Sequence, residues 1–407
     1  MAPGDEWLTS EAAAARLGVK PETLYAYVSR GAVRSERVPG SRRSRFLRAD
    51  VEQLASRQRA GGRAGGLEVL VQTDLTLLDP TGHLYYRGWD VADAVARGAT
   101  FEEVAHWLWT GERAHPAFEA PPEMLAVADR VAGSLADQPV TDRLRAVVAA
   151  VRHTDPLRDD RRPAAVALAA QGLITTLVRT VPVAHGQRDA PPGASIARQL
   201  WPRLSARRAT GEAVRLLDAA LVLLADHELA ASTLAARVAA STWADPYLVV
   251  LAGMAALGGP LHGGASRAAR QLIGEVTGAA GPGSAVSPAR AIGDRLRDEQ
   301  AVPGFGHRVY LGVDPRAEVL LGLLDPEPRP DAPATALVAT VRQRGLAFPN
   351  VDFALAALGA RYDMIDDAGE LIFTIARVAG WLAHATEEYR YRLRFRTRAV
   401  YTGLPPG

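Results

Sequence analysis

Ala213-Val-Arg-Leu-Leu-Asp-Ala-Ala-Leu-Val-Leu-Leu-Ala225-Asp-His-Glu228 sets the reading of this chain. Its first twelve residues carry an apolar face at helical spacing, which predicts a helix over 213–224 that ends in polar groups. Working outward, Pro246–Leu257, Thr335–Arg344 and Leu371–Tyr391 give further helix-length apolar faces. Thr100-Phe-Glu-Glu103 reads as a capping box that opens an amphipathic helix through Val104, Trp107 and Leu108, closed by Gly111. Strand signals are few: Leu75–Leu78 and Leu84–Tyr86 flank Asp79-Pro-Thr-Gly-His83 as a hairpin. The stretches 182–195 and 278–288, rich in Pro, Gly, Ala and Ser, read as loops. The fold class expected from residue 67 onward is therefore mainly α.

At about 150 residues per domain, a chain of 407 residues predicts two or three domains. Hydrophobic residues at 48% and charged residues at 23% exclude a disordered chain, a collagen and a coiled-coil rod. No apolar run approaches the roughly 20 residues of a membrane helix. Met1-Ala-Pro-Gly-Asp-Glu6 lacks a basic stretch followed by an apolar one, so no signal peptide and a cytoplasmic location are expected. Cysteine is absent, which removes disulfides and thiolate nucleophiles. The net charge of +2 is unevenly spread: residues 1–65 hold 12 Lys+Arg against 7 Asp+Glu, and the rest hold 35 against 38. A small basic module precedes a slightly acidic body.

In that module, Ser10 is placed to cap a helix through Leu17, with Gly18 as its stop, and a second helix begins near Pro21 and ends near Gly31. Two extended stretches, Val33–Val38 and Arg45–Leu47, follow, and Asp50 is placed to cap a third helix. Leu8-Thr-Ser-Glu-Ala-Ala13, Leu17-Gly-Val19, Thr23-Leu-Tyr25, Gly31 and the Arg-rich hairpin before Phe46 resemble the winged helix-turn-helix of the excisionase and MerR-like families. That resemblance implies DNA binding, with Thr23, Tyr25, Tyr27 and Arg30 on or near the recognition helix and Arg42, Arg43 and Arg45 reaching phosphate or minor groove from the wing. A docking or oligomerisation domain built from the same helices is the other reading. The domains expected are 1–60, a Gly-rich linker 61–66, and 67–407.

Polar groups stand in apolar or glycine-rich surroundings at five places: Asp226-His227-Glu228, Gly258-Gly-Pro-Leu-His262-Gly-Gly-Ala265, Pro303-Gly-Phe-Gly-His307-Arg-Val-Tyr310 with Asp314-Pro-Arg316, Pro349-Asn-Val-Asp352-Phe353, and Ala376-Arg377-Val-Ala-Gly-Trp381. Desolvation of Asp352 would raise its pKa toward that of a useful base, although Asp352 is also placed to cap a helix. Arg377 is placed either inside the core or snorkelling to solvent. No two of the nine histidines lie three to five residues apart, so no metal site is expected. No glycine-rich phosphate loop opens a helix after a strand.

Together these motifs, with Leu84-Tyr-Tyr-Arg-Gly88 and Tyr401-Thr-Gly403, resemble the citrate synthase family over about Leu67 to Gly403. The resemblance implies an all-α body of two lobes, the smaller at roughly 264–350 closing over the substrates. It implies condensation of acetyl-CoA, or propionyl-CoA, with oxaloacetate and release of CoA, with no cofactor beyond the acyl-CoA co-substrate. By the same resemblance Asp352 is the base, His262 stabilises the enol and His307 polarises the keto oxygen. His227, Arg316, Arg377 and Arg396 hold the dicarboxylate, Arg396 coming from the other subunit of a homodimer, with Arg398 as its competitor. Read without the resemblance, the alternating arginines 390–398 are a solvated tail. Ala230 stands where the family usually has asparagine, and Ala354-Leu-Ala356 where it often has Tyr-Ser-Gly. The alternative function is a transcriptional regulator that keeps the fold as a metabolite sensor.

Overall fold

The computed structural model describes residues 7–17, 19, 24–25, 27–28, 33–38, 44–48, 50–51, 70–259, 262–279, 281, 283–298, 301–326 and 332–395. The chain divides into two units, 1–72 and 73–407. In the first, the strand Trp7–Thr9 pairs antiparallel with Ser44–Leu47, which pairs on its other side with Ser35–Arg37. Ala13, Leu17, Leu24, Val33, Phe46 and Val51 form its core. The two expected extended stretches are thus a hairpin, and Trp7–Thr9 adds a third strand. Thr9, not Ser10, caps the first helix, because its Oγ1 accepts the Ala12 N–H at 3.2 Å. Asp50 is already helical, following helical Arg48, and its carboxylate is taken by the backbone and guanidinium of Arg34. The linker 61–66 lies outside the described residues.

The second unit opens with the expected hairpin, Thr76–Asp79 against His83–Tyr86, extended by Trp89–Asp90. Asp79 Oδ1 accepts from Thr81 N and Oγ1 and so closes the turn. The rest is helical. The axis of the packing is Ala368–Glu388, 21 residues buried on nearly every side. It begins before and ends before the expected 371–391, and Pro333–Gln343 likewise starts ahead of Thr335. Around the axis pack Phe101–Thr110, Pro163–Thr180, Gly211–Leu224, Ala231–Ser241 and Pro246–Leu257. A helix surrounded on all faces needs apolar residues all round rather than in one stripe, and Leu371, Ile375, Val378, Trp381 and Leu382 supply them. A separate, smaller core joins Ala269, Leu272, Ile292, Leu337, Val341 and Phe353. Among the described residues no helix is long and apolar enough to cross a membrane.

One contact fixes where the axis meets the loop after Leu224. Gly380 N–H donates to the Ala225 carbonyl at 2.9 Å. A Cβ at Gly380 would come within 2.5 Å of that carbonyl and overlap Asp226 Oδ1. Gly380→Ala is therefore expected to cost about 1–3 kcal/mol of stability, as overpacking does. Chemical denaturation checks this; an unchanged midpoint would show that the loop yields freely.

Asp218, within the stretch quoted first, meets the start of Phe101–Thr110. Its Oδ1 accepts the Phe101 N–H at 2.9 Å, beside Glu102, which accepts the Ile196 N–H at 2.5 Å. Thr100 caps that helix as expected through the Glu103 N–H, while Glu103 faces His115 at 3.7 Å. Burial, with the charge of Glu102, pushes Asp218 up to about 7. An unfolded aspartate titrates near 3.9, so between about pH 4 and 7 the folded state binds more protons and stability falls as pH rises. Asp218→Asn keeps an acceptor for Phe101 and should flatten this fall. Denaturation at pH 5 and pH 8 tests it, and an identical pH difference in both proteins would assign the slope to other groups.

Candidate active site

Arg377 lies mid-way along Ala368–Glu388, whereas His227, His262, His307, Arg316 and Asp352 sit at helix ends or in tight loops. Thr210 caps Gly211–Leu224 through the Ala213 N–H, and the chain then turns through Asp226, His227 and Glu228, the last at φ 51°. Tyr86 pins this turn: its hydroxyl donates to the Asp226 carbonyl at 2.8 Å and accepts the Asp226 N–H at 3.1 Å. His262 follows Pro246–Leu257 in a loop where Gly263 N–H donates to the Leu257 carbonyl at 2.9 Å. The Gly263 Cα approaches that carbonyl so closely that a Cβ would stand 2.5 Å from it. Close approach here serves the chain's own turn.

Gly304 and Gly306, at φ 82° and 81°, carry a loop that only glycine adopts readily. Gly306 N–H donates to the Phe348 carbonyl, Asn350 N–H to the Gly304 carbonyl, and Asn350 Nδ2 to the Gly306 carbonyl, at 2.8–2.9 Å. This lacing ties His307 to the helix that bears Asp352. Asn350 caps that helix, Val351–Arg361, through the Asp352 and Phe353 N–H groups. Asp352 is thus not the cap, and its carboxylate is left for other work. Asp314 adds a second tie: it caps Pro315–Leu324, binds Arg316 through Nε at 2.9 Å and Nη2 at 2.8 Å, and accepts the Val351 N–H at 3.0 Å.

The electrostatics follow from burial. His307 Nδ1 accepts N–H groups from Val309 and Tyr310 at 3.1 and 3.3 Å, so the neutral ring carries its proton on Nε2. Burial, aided by Arg316, pushes His307 down to about 4, so it is neutral at pH 7. Its Nε2 lies 3.4 Å from Arg316 Nη2, and two donors so placed call for a shared acceptor. His227 packs edge-on to His307 at 5.2 Å, and burial, Arg316 and Arg377 hold it well below the usual imidazole range. His262 Nε2 lies 2.9 Å from the buried Ser232 hydroxyl; burial and then Arg377 lower its pKa. Asp352 is partly exposed, yet the protein around it displaces enough water to raise it to about 6, against the pull of Arg316. Burial outweighs Asp226 and draws Arg377 down to about 10.

Arg377 has no exposed surface, which rules out snorkelling. Its Nε donates to the Leu224 carbonyl at 2.9 Å, while Nη1 and Nη2 have no hydrogen-bond partner. A buried guanidinium with two free nitrogens is matched by an anionic oxygen acceptor, and a carboxylate fits it geometrically. The structure thus gathers His227, His262, His307, Arg316, Asp352 and Arg377 into one electrostatic neighbourhood. Arg396 and its competitor Arg398 lie outside the described residues. Sequence reasoning left Ser232, Asp314, Tyr310 and Asn350 without roles, although each lies in or beside a motif it singled out.

The family model for citrate synthase, C-terminal domain, matches residues 66–398. The chain belongs to the citrate synthase family. A helix-turn-helix domain model matches residues 7–59. Among citrate synthase relatives, that of Haloferax volcanii is 32% identical over 83% of this chain and 95% of its own length. Citrate synthase 2 of Bacillus subtilis is 30% identical over the same shares. Of solved structures, citrate synthase from Thermoplasma acidophilum, a ternary complex with carboxymethyl coenzyme A and oxaloacetate, superposes with TM-score 0.66. It shares 26% identity over 85% of this chain and 96% of that one. The Thermotoga maritima citrate synthase gives TM-score 0.66 and 28% identity over 83% of this chain and 95% of its own.

In the helix-turn-helix unit, Tyr25 is 47% exposed and packs edge-on to Phe46, whereas Tyr27 packs against the core. Arg45 pairs with Glu36 and lies 5.1 Å from the Trp7 ring centre. Thr23, Arg30, Arg42 and Arg43 lie outside the described residues.

Proposed function

We propose that the protein condenses acetyl-CoA with oxaloacetate and hydrolyses the thioester, giving citrate and CoA. The observation that carries this is the buried, unsatisfied fork of Arg377 in the same neighbourhood as Arg316 and a neutral His307, a donor set suited to a keto dicarboxylate. Asp352 takes a proton from the thioester methyl. His262 Nε2 meets the Ser232 hydroxyl at 2.9 Å; with Nε2 as the acceptor, the imidazole proton is on Nδ1 and stabilises the enol oxygen. The enol carbon attacks the keto carbon, and His307 Nε2–H supplies the proton that the new alkoxide needs. Water then cleaves the thioester. His227, Arg316 and Arg377 hold the carboxylates, joined by Arg396 of the partner subunit in a homodimer. The lobe over roughly 264–350 closes over both substrates, which keeps water out until the carbon–carbon bond has formed.

Propionyl-CoA adds one methylene, worth only about 1–3 kcal/mol of discrimination, so 2-methylcitrate synthesis belongs to the same proposal. Thiol release from each acyl-CoA with oxaloacetate, run beside Asp352→Asn, tests it. Wild type should release thiol. Equal silence of both proteins with oxaloacetate still bound would instead favour the metabolite sensor. For residues 1–60 we propose DNA contact, mainly to phosphate, whose affinity must fall steeply with salt. Lack of binding by the full chain at low salt would refute it.

A further inference from the structure

Beside the candidate site, one face of Ala368–Glu388 carries a line of polar groups around a glycine. Arg377, Gly380, His384, Glu387 and Glu388 recur at three- and four-residue spacing, so they share one side of the helix. That side meets the turn at Asp226 and the helix Ala231–Ser241. Asp226, Arg237, His384 and Glu388 have no exposed surface. Arg237 Nε donates to Glu388 Oε2 at 3.0 Å, and its Nη1 reaches Glu387 Oε2 at 2.8 Å and His384 Nδ1 at 2.7 Å. A guanidinium only donates, so His384 Nδ1 is an acceptor and its proton sits on Nε2. That Nε2 donates to Asp226 Oδ2 at 3.2 Å. The same oxygen accepts the Thr76 hydroxyl at 2.5 Å and the Glu228 N–H at 3.1 Å, while Oδ1 makes no hydrogen bond and lies against Gly380. The chain of donors thus has a fixed direction, from Arg237 through His384 to Asp226.

Arg377 lies one turn before Gly380 on this face. A guanidinium without exposed surface is tolerable only beside an anion. Arg377 Nε donates to the Leu224 carbonyl at 2.9 Å, two residues before Asp226, and Asp226 Oδ1 lies against Gly380; burial weakens the charge of Arg377, and Asp226 is the largest influence sustaining it. Burial would also neutralise Asp226, but His384 and Arg377 outweigh it and keep the carboxylate ionised. We propose that Asp226, oriented by the Arg237–His384 chain, is the resident counter-ion of the Arg377 clamp, a positioning residue that readies the guanidinium for the dicarboxylate without touching it. This deepens, and rests on, the oxaloacetate site proposed above.

The test uses the full-length protein and oxaloacetate itself. Breaking the chain with His384→Leu should weaken oxaloacetate binding about 10- to 100-fold by calorimetry, as loss of a buried charged partner does. In turnover the change should appear in KM for oxaloacetate more than in kcat per folded molecule. His384→Gln offers a carbonyl to Arg237 and an amide N–H to Asp226, and so should recover most of the affinity. Asp226→Asn keeps the shape, removes the charge, and should weaken binding as His384→Leu does, which covers the case where the leucine variant does not fold. Wild-type affinity in Asp226→Asn, or equal damage by leucine and glutamine at 384, would overturn the proposal. Failure of the wild type to bind oxaloacetate would remove the site reading itself, and this inference with it.

Discussion

Asp352→Asn should lower the rate of thiol release by about 10²–10⁴-fold, the range that a positioned general base supplies, and leave oxaloacetate affinity within a few-fold. The asymmetry follows from position. Asp352 stands in the first turn of a helix whose cap is Asn350, so its carboxylate has no structural duty to forfeit. With that carboxyl at about 6, kcat/KM should fall as pH drops through 6, because the protonated acid cannot accept the methyl proton. His307, held near 4, stays neutral across the same window and contributes no limb of its own. A rate profile from pH 5 to 8 with no acid limb near 6, or an Asn variant with ordinary turnover, would assign the base elsewhere.

Arg377→Met should do the opposite: lose oxaloacetate affinity by about 10²–10³-fold or more, as truncating one partner of a buried charged pair costs about 2–5 kcal/mol. Methionine fills most of the volume, so packing against Phe373, whose ring centre lies 4.5 Å from the guanidinium carbon, is largely kept. The variant should also melt earlier, because Asp226, which has no exposed surface, loses a counter-charge. Thermal melts with and without oxaloacetate separate the two effects: the wild type should gain stability from ligand and the variant should gain none. A variant that still gains stability would show that Arg316 and the histidines hold the dicarboxylate unaided.

The helical body, the hairpin at 76–86 and the positions of His262 and His307 were readable, because each is a local pattern: a helical stripe, a turn sequence, a histidine among glycines. What escaped was decided by long-range pairing or by one-residue competition. Trp7–Thr9 is a strand only because Ser44–Leu47 lies beside it, far along the chain. Thr9 and Ser10, or Asn350 and Asp352, are equally good caps by type, and tertiary placement selects between them. In the Arg237–His384–Asp226 chain, both contacts of His384 reach back more than a hundred residues in sequence. On an apolar helix, His384 alone reads as an ordinary core histidine; its spacing of seven from Arg377 was the available signal.

The lacing of 303–307 onto 348–350, with Asp314 bridging Arg316 and Val351, has a bearing on how this enzyme family can be recombined. The proposed acid His307, base Asp352 and clamp Arg316 come from two separated stretches of chain that hydrogen-bond to each other. A chimera that exchanges 303–316 without 348–352 would mismatch the Gly304, Gly306 and Asp314 contacts at once. Transplanting both stretches keeps them. The two stretches thus form one unit of exchange.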